Sequence, residues 1–325
     1  MIITKTPYRI SLFGGGTDYP TWFNENGGAV ISFAIDKFCY ISARELPPFF
    51  AHKFRVSYSI IELTSSIEEI KHPVVREAIR KFAANFSLEI QHHGDLPAMS
   101  GVGSSSAFSV GIINSLLTLK GESPDTKSLA NEAINLEQNI LKEVVGSQDQ
   151  IACAVGGINL IEFQGNDNWK VLPLKISYER ITEIEQRAVL LYSGTSRNSS
   201  EVSKGLISNL PNNKFLMQKT MKLVHESVKL ISSDSDLDII GEMLNEGSEI
   251  KKELNPFSMT SDVEELLTTG RNAGALGGKV LGAGGGGFCM FWVKRGERDK
   301  FLKRMPNLVH VPFKISSEGT TVISK

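Results

Sequence analysis

The stretch Pro97-Ala98-Met99-Ser100-Gly101-Val102-Gly103-Ser104-Ser105-Ser106-Ala107-Phe108 restricts the fold of this chain more than any other. Two glycines and a run of serines lead directly into a long apolar, helix-forming segment. A loop of this kind can turn several backbone N–H groups inward at an anion. The helix that follows adds its own unpaired N–H groups and the positive end of its dipole. Serine hydroxyls cap helices, contact phosphate oxygens or ligate hard cations. The stretch therefore reads as a cradle for nucleotide phosphates, with Pro97, Ser100, Gly101, Val102, Gly103, Ser104, Ser105 and Ser106 as candidate contacts. Taken alone, it fits a capped helix start after a flexible loop equally well. Two common nucleotide loops fit poorly. No lysine follows the glycines as a P-loop requires, and Ser106 stands at the third glycine position of a dinucleotide-binding loop.

A chain of 325 residues can bury a large core and is expected to form two lobes, divided within residues 164–185. The formal net charge of −1 gives no general field for nucleic acid or an anionic membrane, and neither is expected as a partner. Cys39, Cys153 and Cys289 are odd in number and far apart, which suits buried, reduced thiols and gives no metal-ligand spacing. The start does not read as a signal peptide, and no apolar run is long enough to span a bilayer. The expected location is the cytoplasm.

Along the chain, Ile2–Thr6 and Tyr8–Phe13 read as two strands, with Arg9 in the second. Gly14-Gly15-Gly16-Thr17-Asp18-Tyr19 follows, and Asp18 could accept hydrogen bonds from sugar hydroxyls or simply shape a turn. Residues 29–35 and 38–43 read as two further strands. His92 and His93 point to opposite faces of a strand, which argues against a metal pair; both read as structural or exposed. A helix opened by Ser123-Pro124-Asp125 is expected to bury Leu129, Ala133, Leu136, Ile140 and Val144. Glu137 lies one position off that stripe, at a cleft edge or in water. Asp149, in Ser147-Gln148-Asp149-Gln150, suits either chemistry or a helix cap. Ser193-Gly194-Thr195-Ser196-Arg197-Asn198 is a second small polar loop. The glycine cluster Gly282–Gly287 holds nothing reactive and reads as backbone passing close to the Pro97 loop or to a ligand.

Three separated glycine motifs in this order resemble the GHMP kinases, the family of galactokinase, homoserine kinase, mevalonate kinase and phosphomevalonate kinase. They are Pro7 through Tyr19, Pro97 through Ala107, and Gly282 through Phe288, so the resemblance spans nearly the whole chain. It implies a two-lobed α+β fold: an N-terminal ribosomal-S5-like α/β lobe over residues 1–175 and a C-terminal ferredoxin-like α+β lobe over 176–325, with the site between them. It implies ATP and Mg²⁺ as cofactors, Ser105 and Glu137 as metal ligands, and Asp149 as the catalytic aspartate. Arg9, the second candidate catalytic residue, occupies the place where many members carry a lysine that pairs with that aspartate. That substitution keeps the charge but changes its geometry.

Within the family, Gly-Gly-Gly-Thr-Asp-Tyr-Pro and Asp36-Lys37-Phe38 resemble the D-glycero-D-manno-heptose 7-phosphate kinases, which phosphorylate the anomeric hydroxyl of a sugar phosphate. A kinase of L-fucose or galactose is the alternative, and a non-catalytic sugar- and ATP-binding sensor is a second. The candidate substrate contacts are Gly16, Thr17, Asp18, Gly157, Ser193 and Arg197, with Arg197 and the loop before it assigned to the 7-phosphate. Adenine contacts are expected from position within residues 54–71. The oligomeric state stays open, a homodimer being one option.

Overall fold

The structure, a computed structural model, describes residues 1–165, 168–194 and 199–324. Among the described residues, twelve strands form two sheets. The first holds β1 (Ile2–Phe13), β2 (Gly28–Glu45), β3 (Phe54–Ser57), β4 (Ile61–Thr64), β5 (Leu88–Gly94), β6 (Ile158–Gln164) and β7 (Asn168–Pro173). The second holds β8 (Ala188–Tyr192), β9 (Ala275–Val280), β10 (Phe288–Val293) and β11 (Val309–Val311). The last strand, β12 (Thr321–Ser324), returns to the first sheet and pairs with β1.

The two strands expected over residues 2–13 are one. β1 runs against β2 from Ile2↔Ala43 to Phe13↔Ile31, and a register shift after Pro7 absorbs the residue that cannot donate to the ladder. β2 is likewise one 18-residue strand, not two. Its first half pairs with β6 and its second half with β5. On this sheet lies the helix Ser104–Leu119, in which every residue from Ser106 to Thr118 is buried. A helix apolar on all sides must be covered on all sides. The sheet covers one side of it, and the helices Pro73–Phe82, Thr126–Ile134 and Gln148–Val155 pack against it as well.

The second sheet has the order β11-β8-β10-β9, all antiparallel, the split arrangement expected of a ferredoxin-like lobe. All six residues of β10 are buried, and the two-residue period of a strand sorts them. Phe288, Met290 and Trp292 join the main core, whereas Cys289, Phe291 and Val293 join a separate one with Val189, Leu191, Val263 and Phe301. The protein is thus a mixed α+β, two-lobed fold. A single cut at residue 175 does not part the sheets, because Ile315 bridges Ile35 and β12 lies on β1. No helix among the described residues is long and apolar enough to cross a membrane.

Candidate active site

A cavity of about 490 Å³ opens between the lobes. Its centre is Arg9. The β1 ladder fixes this residue's backbone, and its N–H donates to Val102 O at 3.0 Å. The guanidinium forks onto Asp149, Nε to Oδ1 at 2.7 Å and Nη2 to Oδ2 at 2.6 Å, while Nη1 donates to Gly101 O at 2.7 Å. A lysine ammonium lacks the planar fork needed to hold both carboxylate oxygens and that carbonyl together. Arg9 is 3% exposed; burial disfavours its charge, but Asp149 more than offsets this and its pKa is raised. Asp149 itself sits in the first turn of the helix Gln148–Val155 and is not its cap; Ser147 holds the N-cap position without a side-chain capping bond.

Around that pair the glycine motifs meet. Gly103 adopts φ of +72°, and a Cβ there would stand 3.0 Å from Arg9 Cγ. Gly282 meets Gly101 backbone to backbone, a Cβ on Gly282 falling 2.6 Å from Gly101 Cα, and Phe288 N–H donates to Ser100 O at 2.9 Å. The third cluster therefore packs on the second loop, one of the two roles its composition allows. Gly101, Gly103, Ser104, Ser105 and Ser106 line the cavity. Pro97, Ser100 and Val102 do not: Ser100 Oγ donates to Pro97 O at 2.6 Å, and Val102 is fully buried. These three shape the loop from behind.

On the first loop, Asp18 is 1% exposed and faces the cavity. Its Oδ1 accepts from Gly16 N–H at 3.0 Å and its Oδ2 from Gln148 Nε2 at 2.9 Å. Burial, reinforced by the charge of Asp149, pushes its pKa up to about 6. Gly16 lines the cavity, but Thr17 turns inward, donating to Gly14 O and Ala29 O at 2.8 Å each. Gly157 lies away from the cavity, its N–H on Ser316 O and its carbonyl on Ala34 N–H, because it opens β6. Ser193 also lies outside the cavity lining, its N–H donating to Gly287 O at 2.9 Å. Arg197, with Thr195, Ser196 and Asn198, lies outside the described residues.

Glu137 is fully buried and lines the cavity, so of the two settings its sequence position allowed it takes the cleft and not open water. The expected helix through Val144 stops at Ile134 and continues as a π-turn, Asn135–Ile140. The wider turn breaks the 3.6-residue phase, so Ile140 is 38% exposed and leaves the buried stripe. Glu137 Oε2 accepts from Ser106 Oγ at 3.0 Å and Gln150 Nε2 at 2.5 Å. Its Oε1 is buried with no partner among the described residues. Burial, with the charge of Glu143 adding to it, raises its pKa to about 7 against the nearby Ser109 hydroxyl, Gln150 and Ser106; Ser109 Oγ, like Oε1, makes no hydrogen bond within normal geometry among the described residues. Ser105 is exposed into the cavity; Ser106 makes the contact to Glu137. No group of three or more His, Cys, Asp or Glu among the described residues could hold a metal alone.

Four further lining residues escape the sequence reading as a group. Tyr58, His72, Phe108 and His92 form a chain of rings with centroids 4.7, 4.9 and 5.1 Å apart. His92 is therefore a cavity residue and not a bystander. Burial lowers the pKa of His72 and takes that of His92 down to about 4. Of the four, Tyr58 alone falls in the 54–71 segment expected near adenine. The others come from a helix cap, a helix and β5, and no local pattern links them. Lys251 and Lys279 also line the cavity unforeseen.

With this geometry in view, the comparisons are specific. Residues 71–157 match the family described as GHMP kinases N terminal domain, and residues 223–310 match GHMP kinases C terminal. A D-glycero-alpha-D-manno-heptose 7-phosphate kinase of Campylobacter jejuni is 26% identical over 94% of this chain and 93% of its own length. A bifunctional fucokinase/GDP-fucose pyrophosphorylase of Arabidopsis thaliana is 24% identical over 92% of this chain, which spans 30% of that protein. Among solved structures, a D-glycero-D-manno-heptose 1-phosphate kinase from Bacteroides thetaiotaomicron superposes with a TM-score of 0.81 at 23% identity, covering 100% of this chain and 99% of its own.

Proposed function

The chain belongs to the GHMP kinase family, and from that premise we propose that it transfers the γ-phosphate of ATP to the anomeric hydroxyl of D-glycero-D-manno-heptose 7-phosphate. It is a phosphotransferase acting on an alcohol group of a sugar. The observation that carries the reading is the Arg9–Asp149 fork, flanked in one cavity by the serine loop and by the buried Asp18 carboxylate.

Phosphoryl transfer asks little covalent work of a protein; it asks for alignment and charge neutralisation. Asp149 takes the proton of the attacking hydroxyl as general base. Arg9 holds that carboxylate in line and ties it to Gly101 in the nucleotide loop. Asp18 accepts hydrogen bonds from the sugar hydroxyls. The backbone of Gly101–Ser106 surrounds the nucleotide phosphates, and the rings of Tyr58, His72, Phe108 and His92, with imidazoles kept neutral, form the wall for adenine. Glu137 Oε1 and Ser105 Oγ would hold Mg²⁺, the remaining ligands coming from phosphate oxygens and water, as this ion prefers. The ion would supply neutralisation of phosphate charge. The buried, unpartnered Oε1 is the feature of this chain that fits it.

The heptose reading draws on the first glycine motif and on relatives whose names agree on a heptose and differ in phosphate position. Fucokinase and galactokinase relatives supply the second reading, a kinase of a free sugar. The presence of Asp149, Ser105 and Glu137 together argues against a silent sensor. Incubation with ATP, Mg²⁺ and a panel of free and phosphorylated sugars tests all three. The expected result is ADP release with heptose 7-phosphate well above any free sugar; fucose or galactose as the best acceptor would replace the reading, and binding without ADP release would favour the sensor.

A further inference from the structure

Two lysines in the cleft have no anionic partner among the described residues. Lys251 is carried by the helix Asp238–Leu254 and Lys279 by β9, and both line the cavity. Lys251 Nζ donates to Val280 O at 3.2 Å and Gly282 O at 2.6 Å. Lys279 Nζ reaches across to β1 and donates to Ser11 O at 2.9 Å and Leu12 O at 2.8 Å. Neither forms an ion pair among the described residues. An ammonium has three donors, so each lysine keeps one N–H beyond its two carbonyls. The carboxylates of the cavity are engaged elsewhere: Asp149 with Arg9, Asp18 with Gly16 and Gln148, Glu137 with Ser106 and Gln150.

Enclosed cations without a counter-charge are costly. Burial, with the charge of Arg9 adding to it, takes the pKa of Lys251 down to about 8. Burial and the charges of Lys251 and Arg9 push Lys279 well below the usual lysine range. The two lysines, on a helix and a strand packed together, thus feel each other, and an anion beside them would reverse the penalty. Lys279 is tied to the strand entering the Gly14–Asp18 loop, and Lys251 to the third glycine cluster; the bonds of neither go to Ser104–Ser106.

We infer that Lys251 and Lys279 form a phosphate-binding pair that takes the monoester phosphate already carried by the acceptor, apart from the serine loop that takes the nucleotide. This rests on the reading of the acceptor as a sugar phosphate, and it moves the 7-phosphate from the Arg197 loop to the helix and strand that carry Lys251 and Lys279.

The first test uses inorganic phosphate as probe, with MgADP saturating the nucleotide loop. Phosphate raises Tm of the unmutated protein by about 2–5 °C, and Lys251→Met and Lys279→Met abolish the rise. No rise in the unmutated protein, or a rise surviving in both variants, overturns the pair. Because either variant could fold poorly, the unmutated protein is also treated with an amine-reactive probe and read by mass spectrometry. Phosphate protects Lys251 and Lys279 from labelling; equal labelling with and without it overturns the pair without any substitution.

Kinetics then separates the phosphate's sources. Each variant loses about 30-fold in kcat/KM for the sugar phosphate, with KM for ATP held within about twofold. A raised KM for ATP with an unchanged acceptor term overturns the assignment to the acceptor. Were the unmutated enzyme to use free and phosphorylated sugars alike, the substrate reading would fall and the acceptor assignment with it. A preference present in the unmutated enzyme and retained in both variants sinks the pair alone.

Discussion

Asp149 and Glu137 are two carboxylates in one cavity, and their partners differ. Asp149 has both oxygens taken by a guanidinium fork. Glu137 has one oxygen taken by a hydroxyl and an amide, and the other taken by nothing. A finished ion pair holds its geometry before any ligand arrives. An orphaned buried oxygen is poised for a cation the fold itself does not provide. Under the proposed function the two would divide the work: one pre-set for the acceptor hydroxyl, the other completed by what enters.

Substituting each carboxylate by its amide should separate them most sharply. Asp149→Asn is expected to lower kcat by about 10³-fold while ATP binding persists. It should also lower the stability of the ligand-free protein by about 2 kcal/mol, allowing for the 26% exposure of the Asp149 side chain, because Arg9 is left buried without its anion. Near-normal kcat would remove Asp149 from the base role. Glu137→Gln is expected to cost about 10²-fold at low Mg²⁺, partly recovered at high Mg²⁺, with no loss of ligand-free Tm at pH 8. A Tm loss equal to that of Asp149→Asn would erase the distinction. Arg9→Lys keeps the charge and should lower kcat by about tenfold, since one ammonium cannot serve both Asp149 oxygens and Gly101 O. An unchanged kcat would mean the fork is dispensable.

The smallest effect on turnover concerns pH and Asp18. Its pKa is 3.8 when unperturbed and about 6 in the fold, so the folded state holds the proton longer. Stability of the ligand-free protein then falls as pH climbs from about 4 to about 6, by on the order of 3 kcal/mol for this buried group. Glu137 acts in the same sense up to about pH 7, so the check is the difference between the unmutated protein and Asp18→Asn. Parallel Tm-against-pH curves for the two would show Asp18 to be solvated.

The parts legible in the sequence are those whose chemistry is local. Each glycine motif announces its own backbone, and the apolar run after Ser106 announces its burial. The resemblance then pairs Arg9 with Asp149, residues 140 positions apart, and the structure brings them together. What was not legible is set by tertiary partners. The π-turn at Glu137 leaves no periodic trace, since Ile140 and Val144 look as apolar as Leu136. Thr17, Ser100, Val102 and Gly157 read as contacts because their residue types suit a site, yet their polar groups are spent on neighbouring backbone or turned away from the cavity. Lys251 and Lys279 read as ordinary lysines because their partners are carbonyls, which every residue carries.

The pairing of β12 with β1 has a bearing on how this protein is made. Thr320 Oγ1 meets Thr6 Oγ1 at 2.8 Å and accepts from Asn114 Nδ2 at 3.2 Å, just ahead of the ladder that begins at Thr321↔Lys5. A ribosome that has delivered Arg9 must therefore add some three hundred residues before the strand bearing it gains its second neighbour. Until then the outer rim of β1 stands open to any extended peptide nearby. Completion of the first sheet is in this sense a late event of biosynthesis, since it waits on a loop closure spanning nearly the whole sequence.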